Sequence, residues 1–395
     1  MDVQAEGLFR LAAPGPDELR SMVSAAAGTP VRQPAVQARP IDYDWGSVAT
    51  AGLWRADVTD AGATVATFFV KLVRHTRLWP GLGHMPTEEA RAAFIDYYPW
   101  HYELDIHESA IEAVLPPGLR TPLLHGVVRP DADHMGLWWE FIDQRPEPWE
   151  LGDYRFAARL LGQLAARRRA GAEVNAALPE LARKAQDSAL RFYTQARVFT
   201  GVLPMLAAGD VWRHPVLREA VAMTDDAALP ADMLALGERL PRLLDLLDKL
   251  PQTYAHGDAT PQNLLLPAGE PGTIVLVDWG FGTLLPAGFD LGQLLVGLAH
   301  GGDSDLSQLA AIDAEIFPAY LDGMASEDYQ ADPDQVRLGY TGSLAARSAL
   351  AAVPLELLSD GPADAGTMAL ITRRLRLTRF MLDLSGDAAG IRAAG

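Results

Sequence analysis

The chain has no cysteine, only two asparagines (Asn175 and Asn263) and only three lysines (Lys71, Lys184 and Lys249) in 395 residues. Without thiols there can be no disulfides, no thiolate catalysis and no cysteine-ligated zinc or iron–sulfur centre. No apolar run is long enough to span a bilayer, and Met1 to Glu6 begins acidic without the apolar stretch of a signal segment, so a cytoplasmic protein is expected. Basic residues are outnumbered, and the net charge of −18 repels polyanions. Nucleic acid and anionic membrane are therefore not expected as partners, and the overall charge tilts the substrate toward cationic or neutral compounds. Where arginine and aspartate have largely displaced lysine and asparagine, an asparagine in a polar loop and a lysine inside an apolar strand are less easily incidental.

What is present points to one stretch above all. Tyr254-Ala255-His256-Gly257-Asp258-Ala259-Thr260-Pro261-Gln262-Asn263 is followed by the apolar run Thr273 to Val277 and then by Asp278-Trp279-Gly280. An aspartate, an asparagine after four intervening residues, and a second aspartate at the end of the next strand have the spacing by which kinase-type enzymes place one carboxylate on the attacking hydroxyl and two groups on magnesium, so the stretch reads as a phosphoryl-transfer site. The transferring group spreads negative charge through a loose transition state, so the protein supplies position and countercharge. Magnesium prefers oxygen ligands and keeps several waters, so Asn263 and Asp278 suffice as its protein ligands beside phosphates. Asp258 is then left to face the acceptor hydroxyl as general base. Pro267 to Gly272, with two prolines and two glycines, reads as the hairpin connection between Leu264–Leu266 and Thr273–Val277. His256 is given a structural role, a ring that holds the turn carrying Asp258.

Lys71 sits in Thr67-Phe68-Phe69-Val70-Lys71-Leu72-Val73, a run too short and too β-prone for a helix. Its ammonium suits the α/β-phosphates of ATP, with a helix glutamate to hold it. Glu103 is the candidate and Glu108 the reserve.

Length and a hydrophobic content of 49% allow a sizeable core and two lobes. The expected organisation is an N-terminal lobe over 1–143, with a helical lead-in to about Thr29, a helix start at Pro16-Asp17-Glu18, a connector over Pro30 to Pro40 and a sheet-rich part from Ile41 to Asp143. A mostly helical lobe over 144–395 carries the catalytic loop and acceptor pocket. Phe156, Leu160 and Leu164 fit one amphipathic helix, closed by Arg167 to Arg169; Leu243, Leu244, Leu247 and Leu250 fit another. Other chemistries fit poorly. The histidines lack helical zinc spacing, and Ser343 after Gly342 lacks the second glycine of a nucleophile elbow.

On these residues the chain resembles the aminoglycoside phosphotransferase and choline kinase group, small-molecule relatives of the protein kinases. The resemblance rests on His256-Gly257-Asp258 and Asn263, on Asp278, on Asp290-Leu291 opening a later helix that braces the loop, on Trp100 to Glu103, and on Trp139 to Asp143. It implies an α+β, bilobal protein-kinase-like fold and ATP and Mg²⁺ as cofactors. Nucleotide contacts would come from Lys71 with Glu103, from Glu140 and Ile142 in the hinge whose backbone holds adenine, and from Ser47 and Thr50 in a covering loop, Asp44 to Trp54, that lacks a full glycine-rich pattern. Ala259-Thr260-Pro261-Gln262 stands where many members have Leu-His-Pro-Gly, and Gly280 where a second acidic residue is frequent. The first departure bears on acceptor preference and the second on one metal contact. The expectation is transfer of the γ-phosphoryl group of ATP to a hydroxyl of a small molecule such as a sugar, an aminoglycoside or other antibiotic, or an amino alcohol. The alternatives are a catalytically silent nucleotide-binding module and transfer to a protein side chain, the latter disfavoured by the short segment Gly280 to Asp290. Neither the acceptor nor the oligomeric state is legible.

Overall fold

The computed structural model of the chain describes residues 3–42, 47–85, 87–98, 100–109, 111–172, 189–358 and 361–386. Two compact units account for the chain. One comprises Met1–Glu112, Arg120–Pro146 and Leu265–Gly280, the other Ala113–Leu119, Glu147–Leu264 and Phe281–Gly395. The first is built on a sheet and the second is mostly helical, in agreement with the α+β class expected.

The first unit centres on a five-stranded antiparallel sheet in the order β1-β2-β3-β6-β5, formed by β1 (Ala35–Pro40), β2 (Thr50–Asp60), β3 (Ala63–Arg74), β5 (Leu124–Val128) and β6 (His134–Glu140), with the short β4 (Leu119–Arg120) outside it. Strand alternation sorts its side chains. Val70, Leu72 and Trp138 pack with Ala12, Leu19, Met22 and Val23 of the leading helices α1 (Val3–Ala12) and α2 (Pro16–Ala27). Trp138 Nε1 donates to the carbonyl of Ala12 at 2.7 Å, and a Cβ on Gly136 would fall 2.7 Å from Ala12 Cα, so this helix sits directly on the sheet. The intervening residues Val73, Leu137 and Trp139 pack on the other face with Leu104. Leu104 belongs to α4 (Tyr102–Glu108), which follows α3 (Glu88–Tyr97). Lys71 alternates with Val70 and Leu72, so the same pleat turns it toward α4.

The lead-in is helical as read, with Pro16 in the first turn of α2 and the Glu18 side chain accepting from the Gly15 N–H. The stretch Pro30 to Pro40 is not merely a connector. Its second half is β1, paired from Ala35↔Thr59 to Pro40↔Trp54. β1 is an edge strand, which is where a sheet tolerates prolines because the missing N–H need face no neighbour. Beyond this sheet, the turn Pro267 to Thr273 is closed by Glu270 N–H to Pro267 O and Thr273 N–H to Glu270 O, and joins β8 (Leu264–Leu265) to β9 (Ile274–Leu276). The two strands are adjacent in a three-stranded sheet, each shorter than expected.

In the second unit, α5 (Leu151–Arg167) and α6 (Leu229–Leu247) bury the leucine stripes read from the sequence. The basic end of α5 is not simply solvated, because Arg168 is fully buried with its guanidinium 5.5 Å from the Tyr254 ring centre. β7 (Gln252–Ala255) pairs antiparallel with β10 (Thr283–Pro286). After β10 come α7 (Phe289–Gly301), α8 (Leu309–Ala325), α9 (Pro333–Leu344) and α10 (Ala365–Gly386). α5 and α8 approach closely through Gly162 and Gly323, where an added Cβ would lie 2.1 Å from the carbonyl oxygens of Tyr320 and Arg159.

Candidate active site

The candidate residues fall in two sets, one in each unit. In the first unit Lys71 lies mid-sheet, opposite Leu53 of β2 and Leu137 of β6, and is only 7% exposed. It is therefore not an edge lysine facing water. Its Nζ donates to Glu103 Oε2 at 2.6 Å and to Asp278 Oδ1 at 3.2 Å. Of the two glutamates considered, Glu103 meets the lysine, whereas Glu108 is exposed. Asp278 follows β9 with φ +57°, a left-handed conformation that costs a non-glycine residue energy and is held only where the surroundings impose it.

In the same unit Glu140 ends β6 and Ile142 lies just beyond it, in the segment read from the sequence as the hinge. The Glu140 carboxylate takes two hydrogen bonds from Arg120, at 2.7 and 2.9 Å, and Arg120 also grips Glu270 at 2.6 Å. The Glu140 side chain is thus committed to fixing the segment and its N–H donates to the Leu123 carbonyl at 2.8 Å, so only its carbonyl remains for a ligand. Ile142 is buried, and its peptide makes no backbone hydrogen bond with another described residue outside the strand ladders. Asp44 to Gly46 of the covering loop lie outside the described residues, as do Asn175 and Lys184. Ser47 lies in the connection from β1 to β2, where its hydroxyl accepts the N–H of Thr50 at 3.0 Å; Thr50 is buried at the start of β2.

In the second unit β7 delivers the chain into the loop His256 to Asn263. Gly257 has φ +81°, and a Cβ there would meet the Phe281 carbonyl oxygen at 2.2 Å, so the turn admits only glycine. Asp290, at the start of α7, accepts the N–H of His256 on Oδ2 and that of Gly257 on Oδ1, both at 2.9 Å. The bracing read from Asp290-Leu291 is present. Burial raises the Asp290 pKa, while His256 and the two peptide donors pull it back. His256 is fully buried and its Nδ1 accepts the Asp258 N–H at 3.3 Å, the structural role expected of it.

Asp258 is held from both sides. Asn263 Nδ2 donates to Asp258 Oδ2 at 3.0 Å and to the Asp258 carbonyl at 2.9 Å. Two acceptors on one nitrogen fix which end of the amide is which, and they leave Asn263 Oδ1 as the free acceptor. Arg347 Nη2 donates to Asp258 Oδ1 at 2.9 Å, and its Nη1 donates to the Gly257 carbonyl. Arg347 was missed in the sequence. It stands in a π-helical turn, Ala345–Ala349, after α9, flanked by the rings of Tyr193, Phe281 and Phe289. No local motif marks it, and the only signal was an arginine in an otherwise small and apolar stretch, Leu344 to Leu350.

Each unit contributes one candidate oxygen donor, a carboxylate at Asp278 in the first and a carboxamide oxygen at Asn263 in the second. With no thiolate in the chain, either matches the oxygen preference of magnesium rather than that of zinc or copper. Among the described residues no cluster of three or more His, Cys, Asp or Glu side chains suits a metal. A metal held by either donor would draw its remaining ligands from water and substrate, which is how magnesium is usually held in nucleotide sites.

The family model for the phosphotransferase enzyme family (APH) matches residues 154–328, the segment that includes His256, Asp258, Asn263, Asp278 and Asp290. An aminoglycoside phosphotransferase from Alicyclobacillus acidocaldarius has the same fold, at 15% identity over 90% of this chain and 96% of that one, with a TM-score of 0.50. Looser likenesses are an amicoumacin kinase in complex with AMP-PNP and Ca²⁺ (12% identity, 87% and 88% covered, TM-score 0.49) and a spectinomycin phosphotransferase in complex with ADP and spectinomycin (10%, 94% and 99%, 0.46). No curated protein matches by sequence. The fold is that of the kinase-like small-molecule phosphotransferases, and the resemblance read from the motifs is borne out.

Proposed function

We propose that the protein is an ATP- and Mg²⁺-dependent phosphotransferase that moves the γ-phosphoryl group to a hydroxyl of a small molecule in the cytoplasm. The observation that carries this reading is Lys71, buried mid-sheet and bonded to both Glu103 and the strand-end Asp278. Burying an ammonium with two carboxylates stabilises a fold poorly compared with apolar packing, so the triad is better explained by chemistry than by stability.

Each residue then has one task. Glu103 holds the lysine so that its ammonium meets the α/β-phosphates. Asp278 and Asn263 Oδ1 take the metal, which, when bound, neutralises charge on the phosphates as the leaving group departs. The backbone of Glu140 and Ile142 receives the adenine, while Ser47 and Thr50 belong to the segment over the phosphates. Asp258 orients the acceptor hydroxyl and takes its proton.

The test is acceptor-dependent ADP release by the parent, Asp258→Ala and Lys71→Met. Turnover should fall at least about 100-fold in Asp258→Ala with Mg-ATP affinity retained, because general-base assistance is lost while the nucleotide contacts remain. A parent that binds Mg-ATP yet releases no ADP across a broad acceptor panel would instead be a silent nucleotide-binding module.

A further inference from the structure

The charge around Asp258 is opposite in character to that of the chain. α7 packs directly on the loop His256 to Asn263: a Cβ on Gly297 would lie 2.7 Å from Thr260 Cβ, and one on Gly301 would lie 3.8 Å from Gln262 Nε2. Between those glycines α7 carries His300, whose Nε2 stands 2.8 Å from Arg374 Nη1 on α10. An arginine can only donate, so His300 accepts at Nε2 and is neutral. Burial, then the charges of Arg374, Arg347 and Arg197, hold its pKa at about 4.

The acids nearby are few and engaged or exposed. Asp258 is bound by Arg347 and Asn263. Asp305 accepts from the Ser307 N–H and feels the charge of Arg373, Glu356 is exposed and acts on Arg374 only through its charge, and Asp303 is exposed. Among the described residues none of them forms an ion pair with Arg197, Arg373 or Arg374, and Nε and Nη2 of Arg373 and Nε of Arg374 are buried without a hydrogen-bond partner. Burial lowers the Arg374 pKa against the opposing pull of Glu356, the mark of a desolvated guanidinium. Desolvated donors on a cation cost stability unless an anion meets them. Guanidinium pairs recognise planar or tetrahedral oxyanions through paired N–H donors.

From this arrangement we propose that the acceptor is an anionic small molecule, a hydroxyl compound bearing a carboxylate or phosphate group that Arg373 and Arg374 engage, with Arg197 at the exposed rim, while Arg347 stays on Asp258. The proposal rests on the phosphotransferase reading above and sharpens it. It also reverses the tilt toward cationic or neutral substrates that net charge alone suggests, because the field at a binding site is set by its nearest charges and distant ones are screened.

The experiment measures ADP release by the full-length protein with Mg-ATP and four acceptor sets at matched concentration: hydroxy and sugar acids, sugar phosphates, neutral sugars and polyols, and amino alcohols with aminoglycosides. Release should occur with one of the two anionic sets, and which of them responds tells carboxylate from phosphate. With that acceptor, Arg374→Gln should raise KM about 10-fold or more with KM for ATP unchanged, the loss of one charge-assisted pair. Should Arg374→Gln fail to fold, Arg197→Glu at its exposed position should raise the same KM. Release confined to the neutral or cationic sets, or an acceptor KM unmoved by both variants, overturns the anionic acceptor and leaves the phosphotransferase reading standing. No release with any set, by a protein that binds Mg-ATP, overturns both.

Discussion

Arg347 donates to Oδ1 of Asp258 at 2.9 Å across 89 residues of sequence, while Asn263 takes the other carboxylate oxygen. The plane of the carboxylate is thereby set, which is what a positioned base needs if Asp258 has the role proposed for it. Arg347 acts through Asp258 and the Gly257 carbonyl, so it is a positioning residue.

Arg347→Lys keeps the charge but loses the planar fork that serves both acceptors at once. Its kcat should fall about 10-fold or more with Mg-ATP affinity unchanged, since a misplaced base loses transition-state stabilisation rather than nucleotide binding. Arg347→Ala should lose more. A kcat in Arg347→Lys equal to the parent's would show that the fork does not set the carboxylate.

Asp290 makes a separate prediction about stability. Its two oxygens satisfy two successive buried N–H groups, those of His256 and Gly257. Asp290→Ala orphans both at once, and leaving buried donors unsatisfied costs about 1–3 kcal/mol each. A drop of about 2–5 kcal/mol in unfolding free energy is expected in urea titration, with Asp290→Asn intermediate because its amide presents one acceptor and one clashing donor. An unchanged midpoint in Asp290→Ala would mean that the loop finds its bonds elsewhere.

The loop and strand residues of the two candidate sets could be picked out because their signals are local. Asp258, Asn263 and Asp278 sit at fixed offsets around a turn and a short strand, and Lys71 breaks an apolar β-run that is otherwise uniform. Even the side of the sheet that Lys71 takes follows from the pleat once Val70 and Leu72 are assigned to the core. Arg347 was not legible, because its significance comes from packing across 89 residues and no periodicity encodes that. The same is true of the arginines on α10. β1 was passed over for a different reason: the prolines from Pro30 to Pro40 weigh against a strand in general, but an edge position relaxes that rule for Pro40. The two-unit pattern was visible only in outline, since the segment Leu265–Gly280 clusters with residues far earlier in the chain.

His300 gives a pH signature. Its folded pKa is about 4 against 6.5 when unfolded. Between those values the unfolded chain binds a proton that the folded one refuses, so this contribution to stability is complete above pH 6.5 and is lost as pH falls toward 4. The full loss is about 3 kcal/mol. His300→Gln keeps an acceptor for Arg374 and removes the titration. The difference in unfolding free energy between parent and variant should therefore change steadily from pH 7 to pH 4. A difference that is flat across that range would show that His300 is not the group responsible.

The last prediction separates a functional ion pair from a stabilising one. Lys71 and Glu103 are both largely buried, with side chains 8% and 15% exposed. Removing one partner leaves a buried charge with less compensation, which costs about 3–5 kcal/mol where the remaining group has no other partner. Here Asp278 still faces the lysine at 3.2 Å, so Glu103→Gln should cost less than Lys71→Met, which takes the shared ammonium from two carboxylates. The double variant Lys71→Met/Glu103→Gln should recover much of the loss, because both formal charges of the pair are gone, whereas neither single variant nor the double should turn over an acceptor. Unfolding titrations of the four proteins measure the coupling directly. If the single losses simply add, the 2.6 Å contact carries no coupling energy, and the case that Glu103 holds Lys71 for chemistry loses its footing.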